Sequence, residues 1–290
     1  MAVSAPLLAV DAPSMLFRAF YALPDSIKGA DGQPVNALLG TANLVLREVE
    51  EHDPRAVVLC FGPDAADYRV GLYDGYHAER PEVPDTLLPQ FAACDELFGA
   101  FGWTVARSVD LEADDLLGSY ARLEEDAAGD ALLLTGDRDM FQCASERVTV
   151  LYVRTGRQGA EPIGPAEVRK RYGIGPELVP DFIALRGDPS DGIPGARGVG
   201  EKTAAELLRR HGSLEEVLEN ALAESRPALR KSLLGSRDEL LAFKDIATLR
   251  DAGVKRPKDR PTNYSAAAKA ARELGMNRLA ERLEKDASAG

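Results

Sequence analysis

Short apolar runs alternate with amphipathic helical patterns along the first half of the chain. The runs are rich in β-branched and aliphatic residues and are bounded by Gly, Pro or Asp, which predicts buried strands. They cover residues 7–11, 56–61, 103–107, 131–135 and 148–153. Apolar residues at helical spacing predict helices over 35–51, about 85–99 and 113–127. Strands separated by helices predict a mostly parallel sheet with helices on both faces.

The strand pattern stops at about residue 164, and short helical patterns follow, several of which end in glycine. They cover 164–173, 176–187, 201–212, 213–222, 226–235 and 237–249, with a weaker pattern over 265–284. We therefore predict an α/β domain over 1–175 and an all-helical domain over 176–290.

Composition narrows the class of protein. The chain has 290 residues, of which 45% are apolar, enough for a large core. It has no apolar run long enough to span a membrane and no secretory pattern at its start. Its three widely spaced cysteines match neither a zinc site nor a disulfide framework, so we expect a cytoplasmic protein with reduced thiols. The net charge of −12 argues mildly against nucleic acid as a partner, unless the charges are clustered.

Carboxylates follow several of the predicted strands. Asp11 ends the first strand, Asp137 and Asp139 follow the fourth, and Glu112, Asp114 and Asp115 open a helix. Each group alone has an ordinary explanation, because acidic residues favour helix N-termini and are common in loops. Since sites in parallel sheets form where strands end, these groups could instead share one crevice with Asp188 and Asp191. Carboxylates gathered in this way repel each other unless hard cations such as Mg²⁺ or Mn²⁺ neutralise them. Two such ions held close together are a known arrangement in enzymes that cleave phosphodiesters.

The stretch 187–204, GDPSDGIPGARGVGEKTA, combines two aspartates with a glycine-rich run. The run predicts a helix-hairpin-helix turn, in which glycines let the backbone approach a ligand closely. The N–H groups that precede the helix at Glu201 would bind a phosphate, with Lys202 and Thr203 adding side-chain contacts.

Four segments together resemble a known family. VDAPSMLFRAF, LEADDLLGSYA, LLTGDRDMFQ and LRGDPSDGIPGARGVGEKTA occur in this order within residues 5–250. They look like the bacterial 5′-nucleases, which include the 5′→3′ exonuclease domain of DNA polymerase I and its stand-alone flap endonuclease relatives. The resemblance implies a PIN-like α/β nuclease domain with a helical arch at about 66–95. It also implies a helix-three-turn-helix DNA-binding domain, with its helix-hairpin-helix at about 182–212.

The resemblance further implies Mg²⁺- or Mn²⁺-dependent hydrolysis of DNA at 5′ ends or at the base of 5′ flaps, in replication and repair. Ligands of the first metal would be Asp11, Glu112, Asp114 and Asp115, and those around the second would be Asp137, Asp139, Asp188 and Asp191. Family members also hold a potassium ion through main-chain carbonyls, here near Gly195–Gly200.

The arch would place basic and aromatic side chains near the DNA. Arg69, His77 and Arg80 would face the scissile phosphate, and Tyr73 and Tyr76 would stack on displaced bases. Ordinary packing is the alternative for the tyrosines. Arg18 matches a basic position of the family near the active site, with a surface arginine as the alternative. We expect His77 and Arg80, with Arg18, to act in catalysis. The duplex would contact Gly195, Arg197, Gly198, Gly200, Lys202 and Thr203.

Two positions depart from the family pattern. The family usually has Phe-Asp at the end of the second strand, whereas this chain has Gly62 there, with Asp64 two residues later. The family's arch usually carries lysine where this chain has His77. The loss of one carboxylate should weaken the first ion or shift the preference toward Mn²⁺.

Two other functions stay open from the sequence. One is a structure-specific DNA-binding protein that has lost its chemistry at Gly62, and the other is a PIN-type nuclease that acts mainly on RNA. We expect a monomer that binds DNA with 5′ flaps, nicks, gaps or free 5′ ends. We expect no membrane partner and a location at the nucleoid of a bacterial cytoplasm.

Overall fold

The computed structural model describes residues 5–154 and 159–289. Its strands are β1 Leu7–Asp11, β2 Ala56–Phe61, β3 Thr104–Arg107, β4 Ala131–Thr135, β5 Val148–Val153 and β6 Ala160–Ile163. They form one sheet in the order β3-β2-β1-β4-β5-β6, in which β1 to β5 are parallel. The predicted parallel sheet is confirmed. The sequence does not predict β6, an antiparallel edge strand of only four residues, whose Pro162 is tolerated at an edge.

Helices cover both faces of the sheet and make up the second half of the chain. Those of the described residues are α1 Ala12–Ala22, α2 Asn36–His52, α3 Asp67–Leu72, α4 Leu88–Ala92, α5 Cys94–Ala100, α6 Ala113–Asp126, α7 Pro165–Tyr172, α8 Val179–Arg186, α9 Glu201–His211, α10 Leu214–Glu219, α11 Pro227–Gly235, α12 Arg237–Ala247, α13 Tyr264–Glu273 and α14 Asn277–Ala289. None of these helices is long and apolar enough to cross a membrane.

The segment predicted as a helical arch, about 66–95, contains little helix. It consists of the six-residue α3, a turn over 74–79, an irregular stretch over 80–87 and the five-residue α4. Gly71, Gly75, Pro81 and Pro84 disfavour a continuous helix, which explains why the arch implied by the resemblance contains so little helix. The predicted helix over 85–99 is likewise divided at Ala93 into α4 and α5.

The sheet buries a hydrophobic cluster on each face. Leu7 and Ala9 of β1 face one cluster, and Leu8 and Val10 face the other, as the alternation of strand side chains requires. The first cluster continues from α6 into the helices α8, α9 and α12, so the helical region and the sheet share one core. The helical region is therefore fixed against the carboxyl-terminal edge of the sheet by packing.

The last two helices do not belong with the helical domain predicted over 176–290. After α12 the chain returns along 248–263, and α13 packs against α5 on the far face of the sheet. Ala267 and Leu279 are buried there in the same cluster as Phe98. The buried Glu124 helps to hold the returning segment, because Arg55 and Arg256 both pair with it.

Candidate metal centre and nucleic-acid interface

The sheet has a topological switch point between β1 and β4. The chain adds β2 and β3 on one side of β1, and β4, β5 and β6 on the other. Loops that leave β1 and β4 therefore diverge and open a crevice at the carboxyl ends of these strands, which is where open α/β sheets bind ligands. The strand-end carboxylates lie at this crevice.

Asp11 forms the floor of the crevice. Thr135 at the end of β4 donates a hydrogen bond of 2.8 Å to Oδ2, and the Ser14 amide donates one of 3.1 Å to Oδ1. Asp11 thus caps α1 while it faces β4. Burial raises the pKa of Asp11, although these donors and the nearby Arg18 oppose the shift. The guanidinium of Arg18 lies over Gly136, whose carbonyl accepts a bond of 3.3 Å from Nη2.

Five of the eight predicted metal ligands line one cavity of about 440 Å³. Its carboxylates are Asp11, Glu112, Asp114, Asp137 and Asp191, together with Asp64 at the rim. Asp188 lines a neighbouring cavity that also contacts Asp137. The amide of Asp139 donates a 2.8 Å hydrogen bond to Asp137.

The pKa values of these groups reflect their crowding. Burial and the charge of Asp191 raise the pKa of Asp137 to about 7. Burial and the carboxylate of Asp11 raise the pKa of Asp114 well above its usual range, and burial with Asp137 does the same for Asp139. A divalent cation would remove this penalty, because it favours the charged form of every carboxylate around it.

The donor set fits a hard cation. The negatively charged side chains that line the cavity are all carboxylates, and carboxylate oxygen is the ligand type of Mg²⁺ and Mn²⁺. Among the described residues, the group of three whose ligand atoms lie within 4.8 Å of one another is instead Glu48, Glu51 and His52 on α2. The cavity carboxylates are more widely spaced, which suits ions that keep several waters and take one or two carboxylates each.

Asp115 does not line the cavity in this structure, and its role as a metal ligand stays a prediction. The residue is fully buried, and Arg69 donates to both of its oxygens at 2.9 Å. The amides of Glu112 and Arg250 donate to it as well. Protein donors thus occupy the lone pairs that a metal would need. Asp115 is an anchor between α6, α3 and the segment that follows α12.

Glu112 lines the cavity but is also held by protein donors. The Ala66 amide donates to Oε1 at 2.7 Å, and the Tyr76 hydroxyl donates to Oε2 at 2.9 Å. Arg69 lies 3.1 Å from Oε2. The capping box between Glu112 and Asp115 at the start of α6 explains why both side chains are fixed.

Arg69 and Tyr76, predicted to contact DNA, are buried at 3% and 5% exposure, so neither side chain is open to a DNA strand in this structure. Besides Asp115, Arg69 donates to the carbonyl of Ile246. Tyr73 is half-buried, with its ring 5.0 Å from Phe243 in an edge-to-face contact. Packing, the alternative for the tyrosines, explains their positions.

His77 and Arg80 lie at the cavity and contact Asp191. His77 Nε2 is 3.2 Å and Arg80 Nη2 is 3.0 Å from the Oδ1 atom of Asp191. Burial acts to raise the pKa of Asp191, but the two basic side chains outweigh it and hold the pKa below its usual range. Asp188 has comparable partners, since Arg186 and the Ser190 amide donate to it at 3.0 and 2.9 Å.

The helix-hairpin-helix turn joins α8 to α9. Gly195 has a φ of 67°, and a Cβ there would lie 2.3 Å from the Gly187 nitrogen, so only glycine fits without a shift. Gly198 and Gly200 have open space instead. Arg197 and Lys202 are exposed, and Thr203 is half-buried. The turn therefore presents an open glycine-rich surface and two cations at the N-terminus of α9.

Gly62 is tightly enclosed. A Cβ at this position would lie 2.3 Å from the Leu111 carbonyl oxygen and 2.6 Å from the Glu112 Cα. An aspartate here would therefore require the backbone before α6 to move.

Sequence reasoning missed the role of Thr135, for which the only signal is a hydroxyl residue at the end of a buried strand beside Asp137.

Family models and related proteins match most of this chain. The family model for the N-terminal resolvase-like domain of 5′-3′ exonucleases matches residues 6–173, and that for their C-terminal SAM fold matches 174–263. A 5′-3′ exonuclease of Mycobacterium tuberculosis is 38% identical over 90% of this chain and 86% of its own length. DNA polymerase I of Bacillus subtilis is 32% identical over 97% of this chain, which spans only 32% of that protein.

Solved structures show the same fold. The phage T5 protein co-crystallised with metal ions superimposes with a TM-score of 0.72 at 14% identity, over 98% of both chains. The catalytic core of Rad2 in complex with DNA substrate gives 0.64 at 15% identity, over 98% of this chain and 92% of that one. Because the two family models together cover residues 6–263, the chain belongs to the 5′-3′ exonuclease family.

Proposed function

We propose that this chain hydrolyses DNA phosphodiesters at free 5′ ends and at the base of 5′ flaps, with Mg²⁺ or Mn²⁺ as cofactor. The observation that carries the proposal is the cavity at the β1/β4 switch point, where the crowded, half-buried carboxylates Asp114 and Asp137 have raised pKa values. Charged carboxylates held this close together cost free energy in the protein alone, and bound divalent cations would offset that cost. Family membership supports the reaction class.

Two groups of carboxylates would hold the ions. Asp11, Glu112 and Asp114 would hold the first, and Asp137, Asp139, Asp188 and Asp191 would surround the second. A divalent ion at such a site makes water a better nucleophile and offsets charge on the leaving oxygen. The oxygen-only donor set supports Mg²⁺ or Mn²⁺ over softer metals.

The chain's own cations would handle the phosphate. Arg80 and His77, which line the cavity, and Arg18, which lies over Gly136, would offset the negative charge of the reacting phosphodiester. Arg80 is 35% exposed and so keeps room to contact a ligand, whereas the side chain of His77 is only 4% exposed. We therefore assign the direct contact to Arg80.

The helix-hairpin-helix turn would bind the duplex backbone. The open amides around Gly198 and Gly200 precede α9, where the helix dipole favours a phosphate. Arg197, Lys202 and Thr203 would add charged and polar contacts. Main-chain carbonyls of 195–200 would hold a potassium ion there.

We further propose which forms of DNA the chain binds, its oligomeric state and its location in the cell. Substrates would be DNA with 5′ flaps, nicks, gaps or free 5′ ends, bound by a monomer at the nucleoid of a bacterial cytoplasm. The bacterial relatives and the structure of the phage T5 flap endonuclease with DNA and metal ions support this choice.

The test is cleavage of a 5′-labelled flap DNA in Mg²⁺ and in Mn²⁺, with Asp137→Ala as the inactive variant. Asp126→Ala is the matched control, because Asp126 is exposed at the far end of α6. We expect cutting near the junction by the wild type and the control, and none by Asp137→Ala. Tight flap binding without cutting in either metal would refute the proposal and favour a DNA-binding protein that has lost its chemistry.

A further inference from the structure

Asp64 contacts two of the three basic residues of the proposed active site, His77 and Arg80. Its carboxylate Oδ1 accepts a hydrogen bond of 3.1 Å from Arg80 Nη1, and its main-chain carbonyl lies 2.6 Å from His77 Nδ1. We propose that Asp64 is a positioning residue, which orients Arg80 toward the reacting phosphate, and that it is not a metal ligand. This inference rests on the proposed nuclease function.

The backbone that carries the two basic residues is fixed independently of Asp64. The His77 amide donates a 3.0 Å hydrogen bond to the Asp191 carbonyl, and His77 adopts a φ of 55° that is unusual for a residue with a side chain. Gly192 lies so close that a Cβ there would be 2.4 Å from the Gly75 carbonyl oxygen. The turn over 74–79 is thus held against the loop that carries Asp191, and these contacts do not fix the direction of the Arg80 side chain.

Arg80 bridges two carboxylates through different nitrogens. Nη1 binds Asp64 and Nη2 binds Asp191 at 3.0 Å. Asp191 is a proposed metal ligand, so any cation near it competes with the guanidinium for the same oxygen. Asp64 is then the anchor that remains, and without it a long arginine side chain samples many rotamers.

The surroundings of Asp64 disfavour a role as a ligand. Its side chain is 60% exposed at the rim of the cavity, and the one oxygen with a described partner is bonded to a cation. Exposed ion pairs of this kind add little stability, so the contact matters for direction rather than for folding. Asp64 therefore does not replace the carboxylate that Gly62 lacks.

The experiment measures Mn²⁺ affinity by calorimetry and flap cleavage for Asp64→Ala and Asp64→Asn. The asparagine keeps an acceptor for Arg80 and removes the charge. Asp74→Ala is the matched control, an exposed aspartate in the same segment. Asp137→Ala reports the loss of a proposed ligand. We expect Asp64→Ala to bind Mn²⁺ as the wild type does, with kcat about tenfold lower and KM unchanged, because a catalytic cation has lost its orientation. Asp64→Asn should restore most of kcat.

Three outcomes would overturn the inference. If Asp64→Ala loses Mn²⁺ affinity as Asp137→Ala does, then Asp64 is a ligand. If Asp64→Ala cuts as fast as the wild type, or Asp64→Asn is as slow as Asp64→Ala, then Arg80 does not depend on this acceptor. A wild type that cuts no flap in either metal would instead refute the proposed function.

Discussion

The buried pair of Arg69 and Asp115 should be a major source of stability. The arginine side chain is 3% exposed and the carboxylate fully buried. Arg69→Ala removes two hydrogen bonds of 2.9 Å to Asp115 and one to the Ile246 carbonyl. It leaves a buried carboxylate whose described remaining donors are two main-chain amides. Breaking a buried pair from one side costs about 3–5 kcal/mol, and we expect a loss in this range.

The assay is urea denaturation, with Arg107→Ala as the matched control. Arg107 also contacts an aspartate, Asp95, but the two side chains are 43% and 61% exposed, so its removal should cost about 0–1 kcal/mol. A double-mutant cycle with Asp115→Ala should give a coupling energy of at least about 2 kcal/mol. If Arg69→Ala costs no more than Arg107→Ala, the pair does not hold α3 and α6 together. If it instead lowers the salt dependence of DNA binding without loss of stability, Arg69 contacts DNA, and its burial does not describe the active protein.

Three further outcomes follow from the site. The folded protein holds the proton of Asp137 more tightly than the unfolded chain, because its pKa is raised from 3.8 to about 7. This stabilisation is complete below pH 3.8 and is lost as the pH rises through about 7. The Tm of the metal-free protein should therefore fall between about pH 5 and pH 8. Asp137→Asn should flatten this fall, and Mg²⁺ should raise the wild-type Tm more at pH 8 than at pH 5; an equal rise would contradict the assignment. Lys202→Ala should reduce the slope of log affinity against log salt by about 1 for duplex and flap DNA, whereas Lys269→Ala on α13 should not. Gly195→Ala should cost more than about 2 kcal/mol in denaturation, since it adds a clash to a positive φ, while Gly198→Ala at φ 79° in open space should cost about 1 kcal/mol.

Sequence patterns predicted the elements that carry a clear period. The parallel strands β1, β2, β4 and β5 are apolar and almost wholly buried, and polar residues, Gly or Pro bound them, so their bounds are readable. The strand β3 is short and exposed at both ends. The strand-end carboxylates follow from the same pattern, because parallel strands place their carboxyl ends at one edge. The segment 66–95 has no period, and its contacts are made by distant residues, which explains why its conformation was not predicted.

The start of α6 shows where sequence reasoning fails at the site. Successive residues on a helix point about 100° apart, so Asp114 and Asp115 cannot face the same partner. The spacing of Glu112 and Asp115 places them on one face, and there they form a capping box, from which Glu112 reaches the cavity and Asp115 does not. Besides the Glu112 amide, the donors to Asp115 come from residues 69 and 250, which are far apart in the sequence. A carboxylate's type and position therefore do not reveal whether it faces a cavity or a buried arginine.

The net charge of −12 and the proposed DNA substrate can be reconciled through the cavity. Without cations, burial and the mutual repulsion of its carboxylates raise the pKa values of Asp114 and Asp137. Carboxylates that stay charged would also repel a phosphate. Arg80 and His77 lie on Asp191, and so they neutralise the protein's own charge rather than that of a substrate. Under the proposed function, divalent cations reverse both conditions, since they neutralise the carboxylates and compete with Arg80 for Asp191. The acidic cluster distinguishes the protein from a general DNA binder. Because of this cluster, DNA phosphates would bind at the cavity only when the metal is present.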